Sequence, residues 1–347
     1  MTVSLAPETS RHANWSAAAA LAPFLVALLV GALAVIWTGN SPFEFYALLT
    51  REAFLGVSRV GATLTSTTPL IFTGVATLIA FRAGVFNIGV EGSFIAGAFM
   101  AAIVGSSLDL PGPVQISLAM LAASAVGLVA GWVPGWLKAR LGVDEVVTTL
   151  MGNFVVAGVV AWLVSAYFLA PGTGNVSTPL VMPQTRLPSL IPGTQLTISL
   201  IAALAMTVAV HYWLRRSLSG FEVRMVGSSA RFAWAQGISV PGVIIYSMVL
   251  SGLIGGLAGG AFTLGTLGRY VVGGGANLGF NGIAVALLAR LHPIAVVPSA
   301  LVLGALAAAG PSVQLFMNVP LDVVRIMQGT IMIVAVIPVL VGRWSKA

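Results

Sequence analysis

Apolar stretches of about 20 residues recur along the whole chain, and short polar segments separate them. Helices of that length cross the roughly 30 Å hydrocarbon core of a bilayer. The pattern therefore predicts an all-α integral membrane protein, a single polytopic domain over residues 1–347 with about ten transmembrane helices. The predicted spans are 15–37, 60–81, 85–105, 114–137, 146–170, 197–214, 241–268, 277–290, 293–310 and 321–341.

Two segments depart from this regular pattern. The eighth predicted span (277–290) is short, which is typical of a half-helix or re-entrant element. The segment 42–58 is polar enough to be a short helix at the membrane interface.

Composition excludes a soluble fold of this size. Apolar residues make up 58% of the chain and charged residues 7%, whereas globular domains carry roughly 25% charged residues. In such an apolar chain the 40 glycines and 18 prolines indicate close helix packing and broken helices. Two glycine rows of four-residue spacing predict faces for tight helix contact, Gly252–Gly256–Gly260 and Gly255–Gly259.

The N-terminal residues 1–40 are predicted to be a tail followed by an uncleaved first helix. The alternative is a cleaved signal peptide, because Ala32-Leu33-Ala34 resembles a signal-peptidase site. The apolar run continues past that site through Trp37, which favours the uncleaved helix.

Basic residues predict the orientation, because lysine and arginine accumulate on the cytoplasmic side. With both termini inside, eleven of the 16 basic residues lie in the cytoplasm, and the long loop 171–196 lies outside. The formal charge of +7 then reflects basic loops facing an anionic leaflet rather than nucleic acid. The eleven are Arg11, Arg82, Lys138, Arg140, Arg215, Arg216, Arg224, Arg231, Arg290, Arg343 and Lys346.

A weak internal repeat links the two halves of the chain. The segment 86–89 (FNIG) recurs loosely as 280–283 (FNGI), and 145–147 (EVV) recurs as 322–324 (DVV). The copies lie five predicted spans apart, so they run in opposite directions through the membrane. This predicts inverted repeat halves at 60–170 and 241–341, as in many transporters; chance recurrence of short apolar motifs is the alternative.

Glu91 is the most unusual residue, because an ionisable side chain inside a span faces a polar cavity or a partner. Nearby Gly84, Gly89 and Gly92 permit a helix break whose free backbone groups meet a solute. The structural alternative pairs Glu91 with Arg82 or bonds it to a helix end. Candidate residues of the substrate pathway are Phe86, Asn87, Glu91, Asn153, Phe280, Asn281 and Gln328.

Catalytic chemistry is not expected in this chain. Neither of its two lysines, Lys138 and Lys346, follows a glycine, so a Walker phosphate loop is excluded. The three histidines have no metal-ligand spacing, and the chain has no cysteine. We therefore expect no enzyme activity and no cofactor or metal bound by this chain; if ATP drives transport, a partner chain binds it with magnesium.

The cytoplasmic loop 215–240 is predicted to meet such a partner. An amphipathic helix around 229–236, rimmed by Arg224 and Arg231, is suited to a groove on a cytoplasmic protein. The alternative is a solvated basic loop without a partner.

Four segments in order resemble the permease subunits of ATP-binding-cassette importers for nucleosides and simple sugars. They are FRAGVFNIGVEGSFIAGA, GVDEVVTTLMGNF, FEVRMVGSSARFAWAQGISV, and SGLIGGLAGGAF followed by GFNGIAVALLARLHPIA. The extra first helix and the sequence around FNIG (AFRAGVFNIG) are similar to those of the larger of two non-identical permeases in purine-nucleoside systems. Related sugar and branched-chain amino-acid permeases share the fold but usually differ at this motif.

The resemblance implies a type II importer permease in the inner membrane that moves solute by alternating access. Its partners are a second permease, two ATP-binding subunits and an extracytoplasmic lipoprotein receptor. Where the family usually has Asn-Pro before paired alanines, residues 228–231 read Ser-Ser-Ala-Arg, which departs from the pattern. The coupling-loop residues it implies are Glu222, Arg224, Ala230, Arg231 and Gly237.

Three other functions fit the same sequence. An ion-coupled secondary transporter would work without partners, a branched-chain amino-acid or ribose permease would share the fold, and a membrane scaffold would carry no solute. Nucleosides, bases and sugars are all candidate solutes, and the sequence leaves the permease dimer either homomeric or heteromeric.

Overall fold

A computed structural model describes residues 11–172 and 174–344, with side chains for 23–172 and 174–335. The described chain is helical, and its only strand-like pairings are isolated bridges, Ser177 with Val271 and Ser189 with Thr197. The helices are α1 (Arg11–Trp37), α2 (Pro42–Phe54), α3 (Val57–Arg82), α4 (Val90–Ser107), α5 (Gly112–Leu141), α6 (Glu145–Tyr167), α7 (Ser199–Arg216), α8 (Leu218–Ser228), α9 (Ala230–Ala235), α10 (Val240–Phe262), α11 (Leu278–Leu288), α12 (Val296–Met317) and α13 (Leu321–Trp344).

Six helices of the described chain are long and apolar enough to cross a membrane: α3, α4, α5, α6, α12, and α10 with the π-helical turn Thr263–Leu267. This confirms an all-helical, multi-pass membrane protein. A helix lies near each of the ten predicted spans, but α7 fails the same test and α11 has only 11 residues. The count of about ten spans therefore stays a prediction.

The segment 42–58, predicted to be an interfacial helix, forms α2 over most of its length. Helix α2 is bent by 117° from Pro23–Trp37 of α1, across a break of a few residues. The two together are apolar enough for one broken span or a re-entrant loop, which would make seven spans.

The chain divides into two compact units. One consists of residues 1–50 and 310–347, where α1 packs on α13 and the Gly31 backbone lies against Met327. The other is 51–309, where α10 packs against α3, α4 and α5, and α11 packs against α3. The inverted repeat of 60–170 and 241–341 stays a prediction.

Glycines on α10 allow its close approach to two neighbours. A Cβ on Gly256 would collide with the carbonyl oxygen of Ala123 on α5, and one on Gly259 with that of Phe94 on α4. The two predicted glycine faces are thereby confirmed, one toward α5 and one toward α4. Backbones this close gain dispersion contacts. In lipid these contacts drive helix association, because the surrounding hydrocarbon removes the hydrophobic driving force that acts in water.

We expect Gly256→Ala to lower the free energy of unfolding by about 1–3 kcal/mol, since the added methyl overpacks a backbone contact. The measurement is thermal unfolding of the purified chain in detergent. Gly158→Ala on α6 is the matched control, because a Cβ there meets nothing within 4 Å. Equal melting of the two variants would contradict the close-packing account.

Candidate transport site and docking segment

The chain breaks its helical course between α3 and α4, at the predicted position. Gly84 has a φ of 79°, a left-handed conformation that favours glycine, and it turns the chain away from α3. Residues 85–88 are then irregular until α4 begins at Val90. Such a break inside an apolar bundle needs polar partners for its exposed backbone groups.

Asn87 supplies partners from within the break. Its side chain is 1% exposed, and its Oδ1 accepts a hydrogen bond from the Gly89 N–H at 2.8 Å. Its Nδ2 donates to the Ser251 Oγ of α10 at 2.9 Å. The amide therefore closes the turn and ties it to the central helix.

Helix α6 supplies the other partners. Asn153 accepts from the Gly92 N–H at 2.8 Å through Oδ1 and donates to the Ile88 carbonyl at 3.1 Å through Nδ2. Thr149 accepts from the Ile88 N–H at 3.3 Å. Since Thr149 and Asn153 are four residues apart, they share one face of α6. These two side chains hold both ends of the break against α6.

The Glu91 carboxylate binds the N-terminus of α11. Its Oε1 accepts from the Asn277 N–H at 2.9 Å, and its Oε2 from the Gly279 and Phe280 N–H groups at 2.7 and 3.2 Å. A helix N-terminus leaves such donors unpaired and carries the positive end of the helix dipole. The buried carboxylate, 4% exposed, thus meets the type of partner that suits its charge.

This geometry bears on the two interpretations of Glu91. Arg82 is not its partner, because the Arg82 Nε donates to the Leu291 carbonyl at 2.7 Å. A bond to a helix end is what the structure contains. A contact between Glu91 and solute stays a prediction.

The other pathway candidates are distributed around this junction. Phe86 stacks on Phe81 with ring centroids 4.3 Å apart. Phe280 and Asn281 lie in the first turn of α11, so the two motifs of the predicted repeat meet at Glu91. Gln328 lies on α13, in the other unit.

Sequence reasoning missed Thr149 and Ser251. The four-residue spacing of Thr149 from Asn153 was a usable signal. Ser251 had a weaker one, since it directly precedes Gly252 in a glycine face. The backbone donors of residues 277–280 had no sequence signal, because backbone groups do not depend on residue type.

A cavity of about 450 Å³ lies beside the break, between α4, α5 and α6. Its walls are mostly valine, alanine and glycine, and its polar side chains are Thr148, Thr149 and Asn153. Apolar walls with a few convergent polar groups are typical of small-molecule sites, and this volume lies within their usual range of roughly 300–1,000 Å³.

The predicted docking segment folds as two short helices, α8 and α9. Ser229 lies between them and caps α9, because its Oγ accepts a hydrogen bond from the Phe232 N–H at 3.3 Å. This is the position of the departure from the family's usual Asn-Pro. Ala233 is buried, whereas Phe232 and Trp234 are 52% and 74% exposed. The predicted amphipathic helix is therefore present, with an aromatic outer face.

The predicted coupling residues lie along this segment. Arg224 and Arg231 are exposed, and the Arg224 guanidinium lies 6.0 Å from the Phe221 ring centroid. Glu222 is half-buried on α8, Ala230 begins α9, and Gly237 has a φ of 81° after α9. Their docking role stays a prediction.

Helix α8 also touches the end of α3. A Cβ on Gly227 would collide with the Arg82 carbonyl oxygen, and Gly84 lies against the Gly227 backbone. The docking segment therefore contacts the residues that directly precede the break.

A broken span held by buried polar side chains, met by a short half-helix within an apolar bundle, is the construction of a solute-conducting permease. The sequence matches the family described as the branched-chain amino acid transport system permease component over residues 59–336. This chain belongs to that family. Its members are transport components, and the predicted resemblance to ATP-binding-cassette permeases is confirmed.

Relatives with more specific names cover most of the chain. The guanosine ABC transporter permease NupP of Bacillus subtilis (strain 168) is 34% identical over 88% of this chain and 89% of its own length. A glucose ABC transporter permease of Haloferax volcanii is 30% identical over 89% and 84%. A second guanosine permease of Bacillus subtilis, NupQ, is 27% identical over 82% and 92%. No solved structure matches this chain.

We expect Glu91→Gln to destabilise the chain by about 1–3 kcal/mol, because the amide NH₂ replaces an acceptor that faces a backbone N–H. The glutamine side chain has nearly the same size as glutamate, so a lower free energy of unfolding reflects lost hydrogen bonds rather than lost packing. Thermal unfolding in detergent measures it, with Glu44→Gln at an exposed position as control. Identical melting of the two variants would show that the α11 cap contributes nothing to stability.

Proposed function

We propose that this chain is the membrane permease subunit of an ATP-binding-cassette importer for nucleosides. The observation that carries the transport role is the break at residues 86–89, held by polar side chains and met by the N-terminus of α11 through Glu91. The relatives named as guanosine permeases favour a nucleoside as solute. The glucose permease relative makes a simple sugar the second candidate.

The solute passes the α4–α6 cavity, where Asn153 and the nearby Asn87 provide neutral polar groups for a hydroxyl-rich solute. The wider predicted pathway adds Phe86, Glu91, Phe280, Asn281 and Gln328. What supports a pathway here is the coincidence of a helix break, buried amides and a cavity of suitable volume.

The energy for transport comes from partner subunits that bind ATP and magnesium, and this chain binds neither. The α8–α9 segment docks on an ATP-binding subunit through the exposed Trp234 and Phe232 and the basic residue Arg231. A non-identical second permease completes the pathway, as the likeness to both NupP and NupQ of one organism suggests. An extracytoplasmic lipoprotein receptor delivers the solute.

The protein lies in the cytoplasmic membrane with both termini in the cytoplasm, following the bias of its basic residues. This orientation places α8 and α9 beside the ATP-binding subunits. Closure of those subunits displaces α8, and the contact of Gly227 with Arg82 passes the movement to the break. The affinity for solute must differ between the two states for net import.

The test is uptake by the purified complex reconstituted in liposomes, with ATP enclosed and radiolabelled guanosine or glucose outside. We expect guanosine uptake that needs both the receptor and the ATP-binding subunits. Uptake of guanosine by this chain alone would favour the ion-coupled alternative. Uptake of glucose but not guanosine would move the proposal to a sugar.

We expect Asn87→Ala and Glu91→Gln to lower uptake severalfold at equal amounts of folded protein in the membrane. The first removes an amide beside the cavity, and the second weakens the junction with α11. Initial uptake rates, normalised to folded permease, measure the effect. Normal uptake by both variants would exclude the two residues as solute contacts.

We expect Arg231→Glu to uncouple ATP hydrolysis from uptake, because charge reversal on the docking face opposes binding to a complementary surface. The ratio of solute moved to ATP hydrolysed measures coupling. Arg140→Glu is the matched control, an exposed arginine on the same predicted side but at the end of α5. Unchanged coupling in both variants would count against the docking role.

A further inference from the structure

A second cavity, of about 210 Å³, is lined by basic side chains from four parts of the fold. It lies between the end of α3, the C-terminal part of α7, helix α8 and the turn that follows α11. Leu214 and Pro293 are its apolar lining. Its charged or titratable lining residues are Arg82, His211, Arg215, Arg224 and His292.

The cavity contains no acid to balance its arginines. Its lining includes neither aspartate nor glutamate. Three ion pairs among the side chains of residues 23–172 and 174–335, Arg59–Glu52, Lys138–Glu145 and Arg325–Asp322, all lie away from this cavity. Guanidinium groups stay protonated in proteins. The guanidinium charges of Arg82, Arg215 and Arg224 therefore face one small space. A bound anion would offset their mutual repulsion.

One of the arginines has a fixed position. The Arg82 guanidinium is held by its bond from Nε to the Leu291 carbonyl. A side chain held in this way loses less conformational entropy when it binds a ligand, which suits it to a binding site. Arg224 is exposed and lies near the Phe221 ring.

The two histidines are neighbours, with ring centroids 5.5 Å apart. The Nδ1 atom of His211 is buried and has no hydrogen-bond partner among the described residues. Burial, and next the nearby His211, Arg215 and Arg82, hold the pKa of His292 below its ordinary value. Protonated His292 would offer one more hydrogen-bond donor to a ligand in the cavity.

We propose that this cavity binds the phosphate group of an anionic ligand. Several guanidiniums around one space match the several oxygens of a phosphate, and arginine binds phosphate through two parallel hydrogen bonds. Two sources supply such a group, the headgroup of an anionic phospholipid and a soluble phosphate or nucleotide. Basic pockets between membrane helices are known to take lipid headgroups.

Proton linkage fixes the expected pH dependence. A bound anion favours protonated imidazole, so it raises the pKa of His292 and binding takes up a proton. For a lipid phosphodiester, whose own charge is constant in this range, affinity therefore rises as the pH falls below neutrality. The charged or titratable groups that face His292 are Arg82 from α3, His211 and Arg215 from α7, and Arg224 from α8.

The experiment measures binding to the full-length chain, purified in neutral detergent. One arm titrates short-chain phosphatidylglycerol against phosphatidylcholine and follows bound lipid by native mass spectrometry. The other arm titrates inorganic phosphate and ADP and follows thermal stability. Tighter binding of phosphatidylglycerol than phosphatidylcholine assigns the lipid source, and stabilisation by phosphate or ADP assigns the soluble one.

The variants are Arg215→Gln and Arg216→Gln. Both residues are exposed neighbours on α7, but only Arg215 lines the cavity. We expect Arg215→Gln to weaken binding about tenfold for whichever phosphate-bearing probe binds the wild-type chain, because the variant loses a charged hydrogen bond. Arg216→Gln should change it less than about twofold, because this variant removes the same charge outside the cavity.

Two results would overturn the proposal. One is that no phosphate-bearing probe binds more tightly than its neutral counterpart in either arm. The other is an equal loss in the two variants, which would mean general surface charge rather than a site. A His292→Gln variant that keeps the full pH dependence would overturn the role given to the imidazole.

Discussion

The bond between Glu91 and the N-terminus of α11 is the constraint on which the rest of the polar core depends. A carboxylate buried in an apolar bundle is costly unless donors surround it. Three N–H groups at the start of α11 supply them, at 2.7–3.2 Å. Because Glu91 lies in the first turn of α4, the bond fixes where α4 begins and where α11 begins. Both discontinuous elements are thereby held together at one junction.

Much of this arrangement follows from local sequence, and part of it does not. Apolar stretches predicted the helices near 57–82 and 145–167, and the glycines around Asn87 predicted the break. The partners could not be predicted, since no periodicity relates Glu91 to donors almost 190 positions later. The span predicted at 197–214 corresponds to α7, whose polar C-terminal part lowers its mean hydropathy, so this span stays a prediction. Tertiary contacts, not local preference, decide the partners of Glu91.

The contacts around the break form a continuous physical series. Gly227 of α8 lies on the Arg82 carbonyl, the chain then turns at Gly84, and Asn87 and Glu91 bind α10 and α11. A series of contacts alone does not establish coupling, which requires an element with two arrangements. The break is the part of this unit suited to that role, because its hydrogen bonds come from side chains that have other rotamers.

The packing of α10 explains why movement would concentrate there. Its glycine faces bring backbone against backbone on α4 and α5, and such contacts have no side chains that can adjust. A displacement of one of these helices would therefore act directly on its neighbours, because close-packed interiors transmit strain. The polar junction at residues 86–91 and 277–280 has the opposite property, since a polar solute or water can replace each of its hydrogen bonds. Within the described residues, a close-packed frame of small residues therefore lies beside a polar seam at residues 86–91 and 277–280, and the proposed alternating pathway requires that such a seam can rearrange.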